Sequence, residues 1–183
     1  MRVGLYGGTF DPIHNGHIHV IQELISRKIV DHLLVLPAGQ PRLRDNEPHA
    51  TGAQRRTMCQ LAVNELPADI KKHVEVNPIE VLREGPSYTI DTVEAVAQFY
   101  EGDTIVLIVG TDAYEKIDQW HRADELKKMV EFVVIDRPDF PGQHNTSVDA
   151  IAVSATEIRA HKSDAVPAAV AAFIKENNLY ASK

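Results

Sequence analysis

A single cysteine, Cys59, stands among 183 residues, so the chain cannot close an internal disulfide and offers no cluster of thiolates to a metal. It falls in an apolar helical pattern, where a buried, inert thiol is expected. Positive charge is short as well: 19 Lys and Arg against 26 Asp and Glu give a formal net charge of −7. A balance of that sign argues against a general nucleic-acid or membrane surface, so any phosphate binding has to be local. No apolar run approaches the roughly 20 residues of a membrane-spanning helix, and the N-terminus goes straight into a strand pattern without a charged leader and apolar segment. A soluble, cytoplasmic protein is expected. Internal repeats, linkers and low-complexity tracts are also missing. What remains, 44% hydrophobic and 25% charged, is ordinary globular composition, sufficient for one domain over residues 1–183 with a substantial core.

The informative stretch lies close behind the N-terminus. Arg2-Val3-Gly4-Leu5-Tyr6 alternates and carries β-formers, and reads as a strand. Gly7-Gly8-Thr9-Phe10-Asp11-Pro12-Ile13-His14-Asn15-Gly16-His17 follows, and then Ile18, Val20, Ile21, Leu24 and Ile25 recur at helical spacing. A strand that feeds a helix through a glycine turn gathers backbone N–H groups and the positive end of a helix dipole around one concavity, which suits an anion. Gly7 and Gly8 permit positive φ and let phosphates approach the backbone. His14 and His17, three apart at the helix start, share a face and can meet one phosphate; the other use of such a pair is a metal.

Further on, the apolar run 32–36 and the most apolar run, 104–109, read as strands covered on both faces, with shorter strands near 74–76, 132–135 and 151–153. Helical patterns fill the intervals, and Ser87 or Thr89 is the expected N-cap of the helix whose buried stripe begins at Ile90. Such alternation implies a doubly wound, Rossmann-like parallel α/β sheet. In the order 3-2-1-4-5 the turn at Gly7-Gly8-Thr9 faces Gly110-Thr111-Asp112 across the switch point, where open sheets place ligands. Residues 38–48 read as an exposed loop at another carboxyl strand end.

The segment His14-Asn15-Gly16-His17 resembles the signature of the nucleotidyltransferases that carry a His-x-Gly-His motif. Glu80 with Arg83, Gly85-Pro86-Ser87-Tyr88-Thr89 with Asp91-Thr92, Gly110-x-Asp112 with Trp120, Arg137-Pro138, Val153-Ser154-Ala155-Thr156-Glu157-Ile158-Arg159 and the closing Leu179-Tyr180 narrow it. Together these pieces are similar to the bacterial nicotinate-nucleotide adenylyltransferases, nearly end to end. The resemblance implies transfer of AMP from ATP to nicotinate mononucleotide, giving deamido-NAD and pyrophosphate in NAD synthesis. Enzymes preferring nicotinamide mononucleotide or taking both acceptors, phosphopantetheine adenylyltransferase, and a nucleotide-binding regulator without turnover are the alternatives. One departure is a loop that reads Pro41-Arg42-Leu43-Arg44 where many members carry a histidine, so Arg42 or Arg44 would supply its positive charge.

On that resemblance, Gly8, Thr9, Phe10, His14, His17, Gly110, Asp112, Ser154, Thr156 and Arg159 form the ATP site, with His14, His17 and Arg159 acting on the phosphates. Ser87, Tyr88 and Thr89 would receive the nicotinate carboxylate, Trp120 would stack on the pyridine ring, and Arg137 would hold the acceptor phosphate. Mg2+ would arrive with ATP and keep mostly water ligands, since no carboxylate cluster offers itself. The implied partners are these small molecules, with no nucleic acid and no membrane; a homo-oligomer is compatible with the sequence.

Overall fold

The computed structural model describes residues 1–39, 47–136 and 146–181. Strands β1 (Arg2–Gly8), β2 (His32–Pro37), β3 (Val74–Val76), β4 (Thr104–Gly110) and β5 (Glu131–Ile135) form one parallel sheet in the expected order, β3-β2-β1-β4-β5. Leu5 of β1 lies in register with Leu34 on one side and Leu107 on the other, so β1 and β4 are neighbours where the winding reverses. The α-helices among the described residues are α1 (Asn15–Ser26), α2 (Gly52–Asn64), α3 (Ala68–Lys71), α4 (Ile79–Leu82), α5 (Thr89–Phe99), α6 (Thr111–Tyr114), α7 (Ala123–Met129), α8 (Ala155–Arg159) and α9 (Ala168–Glu176). No helix among them is long and apolar enough to cross a membrane.

Successive strand residues point to opposite faces and so feed two cores. Leu33, Val35, Val106, Ile108, Val133 and Ile135 pack with Ile21 and Leu24 of α1, Met58 and Cys59 of α2 and Val170 of α9. Val3, Leu5, Leu34, Leu36, Ile105 and Leu107 pack with Ile90 and Val93 of α5 and Leu126 of α7. Burial drives the Cys59 thiol well above its ordinary pKa, which keeps it protonated. Helix α2 starts on a capping box: Thr51 Oγ1 accepts from Gln54 N, and the Gln54 side chain accepts from Thr51 N.

Two local expectations fail. Residues 151–153 form no strand; Val153 N turns back to Ile151 O at 2.9 Å, and the place beside β5 is taken by a single bridge between Ile135 and Thr146. The N-cap of α5 is Tyr88, without a side-chain cap. Ser87 cannot serve because its hydroxyl accepts from Arg83, and Thr89 is already inside the helix.

Candidate active site

The turn from β1 into α1 is built on contacts that its residue types require. The left-handed residue is Phe10, at φ 51°, and not Gly7 or Gly8. Gly8 matters for space: a Cβ there would meet the Phe10 ring at 3.0 Å. Phe10, 2% exposed, in turn sets its ring edge-on to His17 with centroids 4.9 Å apart. His14 is the N-cap of α1. Its Nδ1 accepts from Gly16 N at 3.1 Å, and His17 Nδ1 accepts from His14 N at 3.2 Å. A Cβ on Gly16 would lie 2.9 Å from the His14 ring, so the glycine between the histidines is a steric necessity.

This reciprocal cap fixes the chemistry of both imidazoles. A nitrogen that accepts a backbone N–H carries no proton, so each ring bears its own N–H on Nε2. The two rings stack with centroids 3.7 Å apart and planes at 22°. What the corner presents is a pair of oriented hydrogen-bond donors, a geometry suited to phosphate oxygens.

Around the turn lies a buried ionic node. Asp11, 4% exposed, accepts from His49 N at 2.8 Å, Ala50 N at 3.0 Å and the Tyr180 hydroxyl at 2.7 Å. Arg159 Nη1 donates to the Asp11 carbonyl at 2.8 Å and stands 4.0 Å from its carboxylate. Arg55, 2% exposed, donates to the carbonyls of Ala50, Thr9, Ala38 and Gly39, joining the glycine turn to the end of β2. Burial lowers the Arg55 pKa and the nearby Asp11 opposes that drop.

A cavity of about 1180 Å³ opens over the carboxyl ends of β1 and β4. Gly8, Thr9, Phe10, His14 and His17 line it from the first turn, Gly110 and Asp112 from the end of β4, and Ser154, Thr156 and Arg159 from α8 and its cap. Ser154 Oγ caps α8 by accepting from Glu157 N at 3.1 Å. Among the described residues no group of three or more His, Cys, Asp or Glu side chains could hold a metal ion.

The opposite wall carries Ser87, Tyr88, Thr89 and Trp120. Arg83 Nη1 donates to Ser87 Oγ and to Thr92 Oγ1, the latter at 3.1 Å, and Thr92 Oγ1 donates to Glu80 at 3.0 Å. Burial raises the Glu80 pKa, with the Thr92 hydrogen bond and Arg83 pulling the other way. Tyr88 stacks on His121 with centroids 4.2 Å apart, and half-buried Trp120 packs against the core on the α5 side. Arg42, Arg44 and Arg137 lie outside the described residues.

With this geometry in view the comparisons with known proteins are decisive. Residues 5–161 match the cytidylyltransferase-like family. A probable nicotinate-nucleotide adenylyltransferase of Bacillus pumilus is 34% identical over 99% of this chain and 99% of its own. The nicotinate-nucleotide adenylyltransferase of Bacillus subtilis is 33% identical with the same coverage. The chain belongs to the nicotinate-nucleotide adenylyltransferase family. The solved Plasmodium falciparum nicotinic acid mononucleotide adenylyltransferase complexed with NaAD shares the fold of this family member, with a TM-score of 0.79 at 18% identity, covering 98% of this chain and 97% of that one.

Sequence reasoning missed three residues of this adenylyltransferase site. Arg55 had a usable signal, since it sits on the stripe of Met58, Cys59, Ala62 and Val63 that α2 buries, where a cation must be spent on internal acceptors. His121 had one in its place directly after Trp120. Asp11 had none beyond its turn, because its partners lie at residues 49, 50, 159 and 180.

Proposed function

We propose that this chain transfers the adenylyl group of ATP to the phosphate of nicotinate mononucleotide, giving deamido-NAD and pyrophosphate, within NAD synthesis in the cytoplasm. The observation that carries this reading is the shared cavity, in which the paired Nε2–H donors of His14 and His17, the Arg159 guanidinium and the acceptor wall converge. A phosphate oxygen of the acceptor attacks the α-phosphorus of ATP. A P–O bond forms on that side while the bond to the bridging α,β-oxygen breaks, and pyrophosphate leaves with its electron pair. No protein nucleophile is required, because the acceptor is already an anion; positioning and charge stabilisation carry the rate.

His14 and His17 donate to the triphosphate, with Gly8, Thr9 and Phe10 bringing backbone amides close to it. Gly110 and Asp112 flank the nucleotide, and Ser154, Thr156 and Arg159 hold the β- and γ-phosphates that depart. An Mg2+ ion brought with the nucleotide would be held by the phosphates beside these donors and would supply further charge neutralisation for the leaving group. Trp120 stacks on the pyridine ring, and the uncapped N-terminal amides of α5, with Ser87, Tyr88 and Thr89, take the nicotinate carboxylate. Arg137 holds the acceptor phosphate, and Arg42 or Arg44 brings positive charge to the loop after β2.

Pyrophosphate release from ATP with three acceptors tests the assignment. Nicotinate mononucleotide is expected to exceed nicotinamide mononucleotide by about a hundredfold in kcat/KM, because the amide leaves the carboxylate donors unpaired. Phosphopantetheine is expected to give no release. Equal turnover of acid and amide would identify a dual-specificity enzyme, and ATP binding without release from any acceptor would identify a regulator.

A further inference from the structure

Tyr180, four residues beyond the end of α9, is held by both of its ends. Its hydroxyl donates to Asp11 Oδ1 at 2.7 Å, and its carbonyl accepts from His161 Nε2 at 2.7 Å, two residues after Arg159. Its backbone is left-handed, at φ 56°, a conformation that a non-glycine residue keeps only where its contacts demand it. The chain's last turn is thus tied to the glycine corner and to the end of α8 together.

The distribution of donors on Asp11 gives this tie a purpose. Oδ1 has Ala50 N and the Tyr180 hydroxyl; Oδ2 has His49 N, with the His49 ring at 3.5 Å and Arg159 Nη1 at 4.0 Å. Neither guanidinium near this carboxylate bonds to it closely; Arg159 approaches only to 4.0 Å from Oδ2. Arg55 is spent on four carbonyls, and Arg159 bonds to the Asp11 carbonyl instead. Take away the Tyr180 hydroxyl and a buried carboxylate loses the donor on Oδ1, with a guanidinium 4.0 Å from its other oxygen free to close in and offset the loss. Burial and the bond to Asp11 push the Tyr180 pKa far up, so the hydroxyl remains a donor at every working pH.

We propose that Tyr180 is a positioning residue for Arg159: its hydroxyl satisfies Asp11 and so prevents the carboxylate from capturing the guanidinium that faces the triphosphate. This rests on the assignment of Arg159 to the departing phosphates. Tyr180→Phe removes one oxygen and keeps the ring. Its KM for MgATP and its inhibition constant for pyrophosphate are expected to rise about tenfold, the effect of one hydrogen bond to a charged group. The KM for nicotinate mononucleotide should stay at the parent value. In an Arg159→Ala background, Tyr180→Phe should change neither constant further.

A Tyr180→Phe enzyme that loses thermal stability but keeps parental ATP and pyrophosphate constants would show a tail with a structural role only, overturning the inference. So would additive effects in the double variant. Should Arg159→Ala alone leave both constants unmoved, the phosphate assignment of Arg159 falls, and the inference with it; a strong effect of Arg159→Ala beside a silent Tyr180→Phe removes the inference alone.

Discussion

The two walls of the cavity are held in different ways. At the phosphate corner, side chains bind mostly backbone: His14 and His17 accept from amides, Asp11 accepts from the amides of residues 49 and 50, Arg55 donates to four carbonyls and Arg159 to a fifth, with Tyr180 on Asp11 and Arg159 on Thr156 as the side-chain pairs. On the acceptor wall, side chains bind side chains: Arg83 holds Ser87 and Thr92, Thr92 holds Glu80, and Tyr88 stacks on His121. Backbone partners cannot be exchanged by substitution, so the corner tolerates only the residue types that fit it. Side-chain partners can be exchanged in pairs. On the proposed assignment, the phosphate chemistry would be invariant with respect to the acceptor, while the choice of acceptor would be adjustable.

Replacing a corner residue should therefore damage the reaction with every acceptor alike. His17→Ala removes one oriented donor and is expected to lower kcat by about a hundredfold or more. The same variant loses half of the capping box of α1, a change worth about 1 kcal/mol, or about 3 °C in Tm for a chain of this length. Rates with nicotinate and nicotinamide mononucleotide, measured side by side, check the comparison itself. A fall confined to one acceptor would mean that the two walls are not separable.

The acceptor wall gives the converse, a smaller effect that depends on the substrate. Arg83→Ala releases Ser87 and Thr92 together and should raise the KM for nicotinate mononucleotide by about tenfold, the worth of roughly one charged hydrogen bond. The KM for ATP is expected to stay within about twofold of the parent. Steady-state kinetics with each substrate varied in turn measure both, and an equal rise in the two constants would erase the distinction between the walls.

The same contrast explains what could be read in the sequence. Strands β2 and β4 are continuous apolar runs because helices cover both of their faces, and the doubly wound parallel sheet follows from their alternation with helical patterns. His14, Gly16 and His17 were legible because their partners are each other, within four residues of chain. The Asp11 node was not, since its tie to Tyr180 spans 169 positions and exists only through the fold. Local rules also misplaced the strain: glycine accommodates positive φ most readily, yet here Phe10 adopts it and Gly8 only clears room for the ring. Residues 151–153 carry a strand pattern, but Val153 turns back onto Ile151 instead of pairing.

The smallest expected effect is a pH dependence carried by Glu80 on the acceptor wall. Burial holds the Glu80 carboxyl above its ordinary pKa in the folded chain, so between the unfolded and folded values the native state keeps a proton that the unfolded state has released. Stability must then fall as pH rises through that window and stay lower above it. Glu80→Gln cannot titrate, while its amide oxygen can still accept from Thr92. Its Tm relative to the parent should therefore rise between pH 4 and pH 7, by on the order of 2 °C. Melting curves of Glu80→Gln and the parent across that range decide it, because parallel profiles would mean that burial does not hold the Glu80 proton.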